Sequence, residues 1–358
     1  MATRRSERQR IEELLKKFDA EIRAAFLAAV DDLRAGVDIK ALIAALEAGD
    51  VRAAIDACHV EGAAYYQLRR AIEAAYVEAG IDAVRALPAV RDWKGAVVGV
   101  RFDPSYPRAA DWTARHGAGL VQVFADDQRG AIRDVVEDSL RVGTNPRTAA
   151  IQIAGPVNRV TGRREGGILG LTRQQTGFVQ NARGELSSGN PDELAHYLTR
   201  QARDRRFDGL VKKAIASGKP LDAATVNKMV GRYSDSLLKY RADVVARTES
   251  TQATSAARQE AMRQTLEAAG LSDTDVERTW RATHDHRTRD THRQMDGQKV
   301  MGLETAFTSP SGATLRYPGD PDAPASETIQ CRCFVALRLI RPQVAVSDAA
   351  SERVLEEA

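Results

Sequence analysis

Residues 222–270 read DAATVNKMVGRYSDSLLKYRADVVARTESTQATSAARQEAMRQTLEAAG. Small and polar residues alternate along this stretch, which predicts one long helix that opens at Asp222 and closes near Gly270. After Gly270 the character of the chain changes. From Ser272 to about Arg341 turn formers are frequent and strand-like runs are short, among them Leu315-Arg316-Tyr317 and Cys333-Phe334-Val335-Ala336-Leu337. The expected fold is therefore mainly α: helical bundle regions, with a long helix leading into a small C-terminal α+β domain.

The N-terminal side is read the same way. Ile11, Leu14, Leu15, Phe18, Ile22, Phe26, Leu27, Val30 and Leu33 recur at spacings of three and four and mark one apolar stripe, which Gly36 ends. A short helix is expected over Ile39 to Ala48, and another from Gly49-Asp50 to Gly80, giving an antiparallel bundle over residues 1–86. Residues 87–107, punctuated by Pro88, Gly95, Gly99, Pro104 and Pro107, predict a linker or extended segment. A central helical domain is expected over 108–270. Its first helices are read as Ala109 to Phe124 and Asp126 to Arg141, with Asp126 as an N-cap, then one from Asn145-Pro146 through Ile153. The stretch GPVNRVTGRREGGILG (155–170) predicts an exposed hairpin arm, and further helices start at Thr172 and Asp192. The α+β domain is placed at 271–343 and an acidic tail at 344–358.

Composition bounds the function. Hydrophobic residues make up 43% and charged residues 28%, as in a globular protein, while aromatics at 5% and abundant alanine favour thin helix-on-helix cores. The net charge of +3 neither demands nor excludes nucleic acid, so local patches carry that question. Arg159, Arg163 and Arg164 in the arm, with Arg203, Arg205 and Arg206, are the candidate contacts to DNA or to a partner. No membrane span or signal segment is expected, and three cysteines do not make a disulfide framework. Cys58 is expected to be a small buried apolar residue.

Chemistry concentrates between Trp280 and Cys333. His284, His286 and His292 fall within WRATHDHRTRDTHRQMDGQKV (280–300), and two of the three cysteines stand in Cys331-Arg332-Cys333. Thiolates and imidazoles are the donors that zinc selects, and a small domain has little core of its own. A zinc site from His292, Cys331 and Cys333, with Asp285 or His284 as a fourth ligand, would staple the domain. Alternatively the cysteines are core residues of a strand and His292 bonds to backbone. Asp285, His292 and Asp296 also admit a metal-dependent nuclease, although arginine–aspartate clusters are commonly structural.

One ordered set of residues resembles a known family. It runs Ala246-Arg247-Thr248-Glu249, Trp280, Asp285-x-Arg287-x-Arg289, His292, Asp296-Gly297, Pro318-Gly319-Asp320-Pro321, Glu327 and Cys331-Arg332-Cys333. This set is similar to that of the phage head-morphogenesis family typified by the F protein of phage Mu, over about Leu171 to Leu339. The family usually has asparagine before the C-R-C, where Gln330 stands here.

The resemblance implies a minor head protein of a tailed bacteriophage, not an enzyme. It implies association with the portal protein, with the major capsid or scaffold protein and packaged double-stranded DNA as further partners. It also implies a place inside the capsid near the portal vertex, assembly in the host cytoplasm, and a role in DNA packaging or ejection. No catalytic residue is carried over, and no fused toxin or enzyme domain is expected after Ile340. Arg247 and Glu249 are expected to make an intrahelical or interhelical salt bridge that holds the C-terminal domain onto the long helix. A sequence-independent DNA-binding protein is the remaining alternative.

Overall fold

The apolar stripe of the N-terminal segment becomes α1 (Glu7–Gly36), where Ile11, Phe18, Ile22, Phe26 and Val30 are all buried. In the computed structural model, which describes residues 6–92 and 94–340, local capping chemistry sets most helix ends. Asp38 accepts from the amides of Lys40 and Ala41 to open α2 (Ile39–Ala48), and left-handed Gly49 closes it. Asp50 caps α3 (Val51–Asp56). The helix expected to run on from there instead breaks: the chain turns through His59 at φ 47° and a 3-10 turn at Gly62–Tyr65, and α4 (Tyr66–Ala86) follows.

Gly80 does not end α4. Its missing Cβ lets the Phe102 ring approach, since a methyl group there would lie 2.4 Å from the ring edge. The two helices expected on either side of Asp126 are one, α5 (Pro107–Val142). Asp126 caps nothing; it accepts from Gln122 one turn before it and from Arg129 one turn after it, a side-chain ladder that suits a helix interior.

Asn145 caps α6 (Pro146–Ala154), and a reciprocal capping box between Thr172 and Gln175 opens α7 (Arg173–Ser187). Asn190 caps α8 (Pro191–Tyr197). A 3-10 turn at Arg205–Phe207 leads into α9 (Asp208–Ser217), and α10 (Ala223–Ala269) is the expected long helix, 47 residues in one piece.

The α+β part follows as β1 (Val276–Arg281), α11 (Asp290–Met295), β2 (Lys299–Met301), β3 (Phe307–Thr308), β4 (Thr314–Leu315), α12 (Ala325–Thr328) and β5 (Phe334–Leu339). β1 is central in an antiparallel sheet of order β2-β1-β5, with Arg278 opposite both Val300 and Leu337. β3 and β4 form a separate two-stranded ribbon. The fold is mainly α with this small sheet. No helix among the described residues is long and apolar enough to cross a membrane. The expected tail at 344–358 lies outside the described residues.

The chain packs as two compact units that cut across the consecutive segments expected from the sequence. Among the described residues the first comprises 6–11, 77–92, 94–109 and 254–340, and the second 12–76 and 110–253. In the first, Met262, Leu266, Val276 and Leu303 form an apolar core flanked by Leu87, Leu271, Leu337 and Leu339. In the second, Phe26, Tyr65 and Phe124 meet at ring separations of 5.5–5.7 Å. Cys58 is buried there as expected, and burial pushes its thiol up to about 12.

The Gly/Arg-rich arm belongs to the second unit and is tied down at its base. Val157 and Arg164 form one antiparallel bridge, while Ile168 to Leu171 are fully buried. Gly166, at φ 73°, donates to Asp235, and Ser234 donates to the carbonyl of Gly167 at 2.6 Å. A Cβ at Gly166 would meet the Cα of Gly231 on α10 at 2.7 Å. Gly166→Ala therefore combines a left-handed backbone with a backbone clash and should cost about 2–4 kcal/mol. Urea unfolding followed by circular dichroism checks this, and an unchanged midpoint would show that the arm is not anchored there.

Candidate metal centre

The buried face of β1 carries Val276, Arg278 and Trp280, all at 0% exposure. Among the described residues no carboxylate lies within hydrogen-bonding distance of Arg278; its guanidinium donates to the carbonyls of Gly302, Thr305 and Arg316 and lies over the Phe307 ring. Burial pushes it down to about 10. The β2–β3 connection and the segment after β4 are thereby held against the sheet. Trp280 packs edge-to-face on both His292, at 5.2 Å, and Phe307, at 5.4 Å.

His292 comes from α11, and the thiols come from the residues just before β5. Its Nδ1 lies 3.5 Å from Cys331 Sγ and 3.4 Å from Cys333 Sγ. The three residues are 1–3% exposed. The chain reaches the first thiol through a turn in which Gln330 sits at φ 57°. Asparagine tolerates that left-handed conformation better than glutamine does, which gives a physical reason for the asparagine expected before the C-R-C.

The other ring nitrogen of His292 faces Glu327 on α12, with Nε2 2.9 Å from Oε2, close in distance though poorly aligned for a ring N–H bond. Glu327 is also buried and accepts from Ser311 at 2.6 Å, Ser309 at 3.0 Å and Thr291 at 3.2 Å. Burial alone would raise its carboxyl, but the Ser311 and Ser309 hydroxyls and His292 hold it below the usual range. A hydrogen bond from Cys333 holds the Cys331 thiol down, and the same contact, with burial, pushes Cys333 up. Among the described residues this is the one place where three or more such donor atoms converge.

Asp285, expected as a fourth ligand, is engaged elsewhere. It faces the Arg332 guanidinium through both oxygens, one at 2.6 Å, and also accepts from the Arg287 amide. The residue between the two cysteines thus claims it. His284 pairs with Asp296 at 3.1 Å, and His286 is exposed. Asp296, before left-handed Gly297, also accepts from the Ala282 amide, so Asp285, His292 and Asp296 each face different partners. Arg289 donates to the Ile329 carbonyl. In the Pro318-Gly319-Asp320 turn, Gly319 has φ 81° and Asp320 takes the Arg316 guanidinium at 2.7 Å.

Arg247 does make an interhelical salt bridge and Glu249 an interhelical hydrogen bond, but not to the C-terminal domain. Within the second unit, Arg247 pairs with Asp19 on α1, and Glu249 lies 2.6 Å from His116 on α5. His116 stacks on Trp112, which stacks on Tyr76. Of the six candidate contact arginines, four are already committed. Arg163 pairs with Asp31, Arg164 donates to the Gly155 carbonyl, Arg203 pairs with Asp208 and Arg206 with Asp204.

α9, α10 and the strands of the C-terminal sheet follow one another along the chain. Residues 206–336 match the family model described as Phage Mu protein F like protein. The similarity expected over Leu171 to Leu339 is thus shown from residue 206 onward, and it includes the Arg247-to-Cys333 set. No curated protein and no solved structure matches.

Sequence reading placed Glu327 in the motif but gave it no role beside His292, and it missed Ser309, Ser311 and Arg278 altogether. No periodicity links a glutamate to a histidine 35 residues earlier.

Acid should unsettle this domain in a defined way. Asp285 is held well below the usual carboxylate range, first by its hydrogen bonds from Arg332. A carboxyl held down in the folded state adds stability above pH about 4, which is lost as pH falls towards its folded value. The urea midpoint should therefore change little from pH 7 to about 5 and fall below about 4, and Asp285→Asn should flatten part of that fall. Parallel profiles for the two proteins would show that the pair contributes nothing.

Proposed function

We propose that this chain is a minor head protein of a tailed bacteriophage that associates with the portal and acts in prohead assembly and in DNA packaging or delivery. The observation that carries the reading is the family match over residues 206–336. The reading places the protein in the virion, inside the capsid near the portal vertex, after assembly in the bacterial cytoplasm. Portal protein is the first partner, with major capsid or scaffold protein and packaged DNA as further ones.

The geometry supports a non-enzymatic role better than a nuclease. His292 is sealed from solvent among Trp280, the two thiols and Glu327, so it is badly placed to meet a phosphodiester. A general base must come within hydrogen-bonding reach of its substrate. A DNA-binding module is also less favoured, because Arg163, Arg203 and Arg206 face carboxylates that screen them from phosphate.

Co-expression with a phage portal protein, followed by native mass spectrometry, tests the reading. A complex of defined stoichiometry is expected, together with no cleavage of DNA or RNA. Absence of any complex at micromolar concentration would sink the portal assignment, and cleavage lost in His292→Ala would sink the non-enzymatic one.

A further inference from the structure

We propose that His292 Nδ1, Cys331 Sγ and Cys333 Sγ form a zinc site in which Glu327 is the positioning residue for the histidine. Independently of any role in the phage head, the inference rests on the convergence of two thiols and an imidazole in a buried pocket.

The distances fit the metal. Zinc binds thiolate sulfur at about 2.3 Å and imidazole nitrogen at about 2.0–2.1 Å in tetrahedral array, which sets each nitrogen–sulfur edge at about 3.6 Å. The two edges here are 3.4 and 3.5 Å. An imidazole Nδ1 offers a single lone pair, so it accepts one thiol hydrogen well and not two. One cation in the middle satisfies the nitrogen and both sulfurs at once. Two sulfurs with an imidazole suit zinc, whereas magnesium and calcium take oxygen donors.

The outer contacts fit as well. A metal-bound histidine usually gives its remaining N–H to a carboxylate, which fixes the tautomer and the ring orientation. Glu327 stands at Nε2 and is itself pinned by Ser309, Ser311 and Thr291. Arg332 turns outward to Asp285, so the two flanking thiols face inward together. The described residues supply three ligands, with neither Asp285 nor His284 free to complete the set. The fourth position falls to water or hydroxide. The site joins α11 to the segment entering β5 and closes the intervening loops into one piece.

The experiment is metal analysis of the full chain purified under reductant without chelator, with X-ray absorption at the zinc edge. One zinc per chain is expected, surrounded by two sulfur and two nitrogen or oxygen scatterers. Cys333→Ser should lose the metal. Because that variant can also fail to fold, Glu327→Gln is the second arm: it should keep the fold and bind zinc 10- to 100-fold more weakly in competition with a chromophoric chelator. The proposal is overturned if the reduced wild-type chain holds no stoichiometric zinc and gains no thermal stability when zinc is added. It is equally overturned by a zinc shell without sulfur, or by unchanged affinity in Glu327→Gln. None of these outcomes depends on portal binding.

Discussion

Glu327 is a carboxylate with almost no access to water, and the C-terminal domain is arranged around its needs. Burying an unpaired charge is far more costly than burying an apolar group, so the surroundings must supply donors. Ser309 and Ser311 do so from the turn of the β3-β4 ribbon and Thr291 from α11, while the Nε2 edge of His292 lies 2.9 Å from Oε2. Fixing the imidazole from that side leaves Nδ1 facing the two thiols. The orientation of the imidazole thus depends on one buried acid, while the Arg332–Asp285 pair turns the two thiols inward.

A related device recurs through the molecule. Arg278 in the first unit, and Arg34 and Arg241 in the second, are buried guanidiniums that donate to carbonyls of irregular segments. Arg34 reaches Gly167 and Leu169, and Arg241 reaches Gly170, so both secure the base of the arm. Burial pushes both guanidiniums down, against the pull of Asp235 on Arg34 and Asp127 on Arg241. Five donors in a rigid fork make arginine the residue best able to satisfy several carbonyls at once. A chain with few aromatics and much alanine has thin apolar cores, and these forks hold loops that apolar packing alone would not.

Much of the helical frame could be read from the residues, because helix ends obey local rules. Asp38, Asn145 and Thr172 with Gln175 cap as their types suggest, and the long helix closes at Gly270. Local reading failed where tertiary contacts took over. Gly80 stays helical because a phenylalanine ring occupies its missing side chain, and Asp126 spends its carboxylate on a side-chain ladder. At the candidate centre, donor type identified His292, Cys331 and Cys333, whereas Asp285 looked equally suitable until Arg332 claimed it. Glu327 and Arg278 act through contacts made by the folded loops, which no spacing in the chain records.

Which ring nitrogen of His292 carries the proton decides most directly whether Glu327 orients the ring. Nitrogen-15 NMR of labelled imidazole in the reduced chain reads this without altering a residue. With Glu327 fixing the ring, the proton belongs on Nε2, and Nδ1 is unprotonated and turned to the sulfurs. A proton found on Nδ1 would mean that Glu327 does not orient the histidine, and that the centre is not built as described.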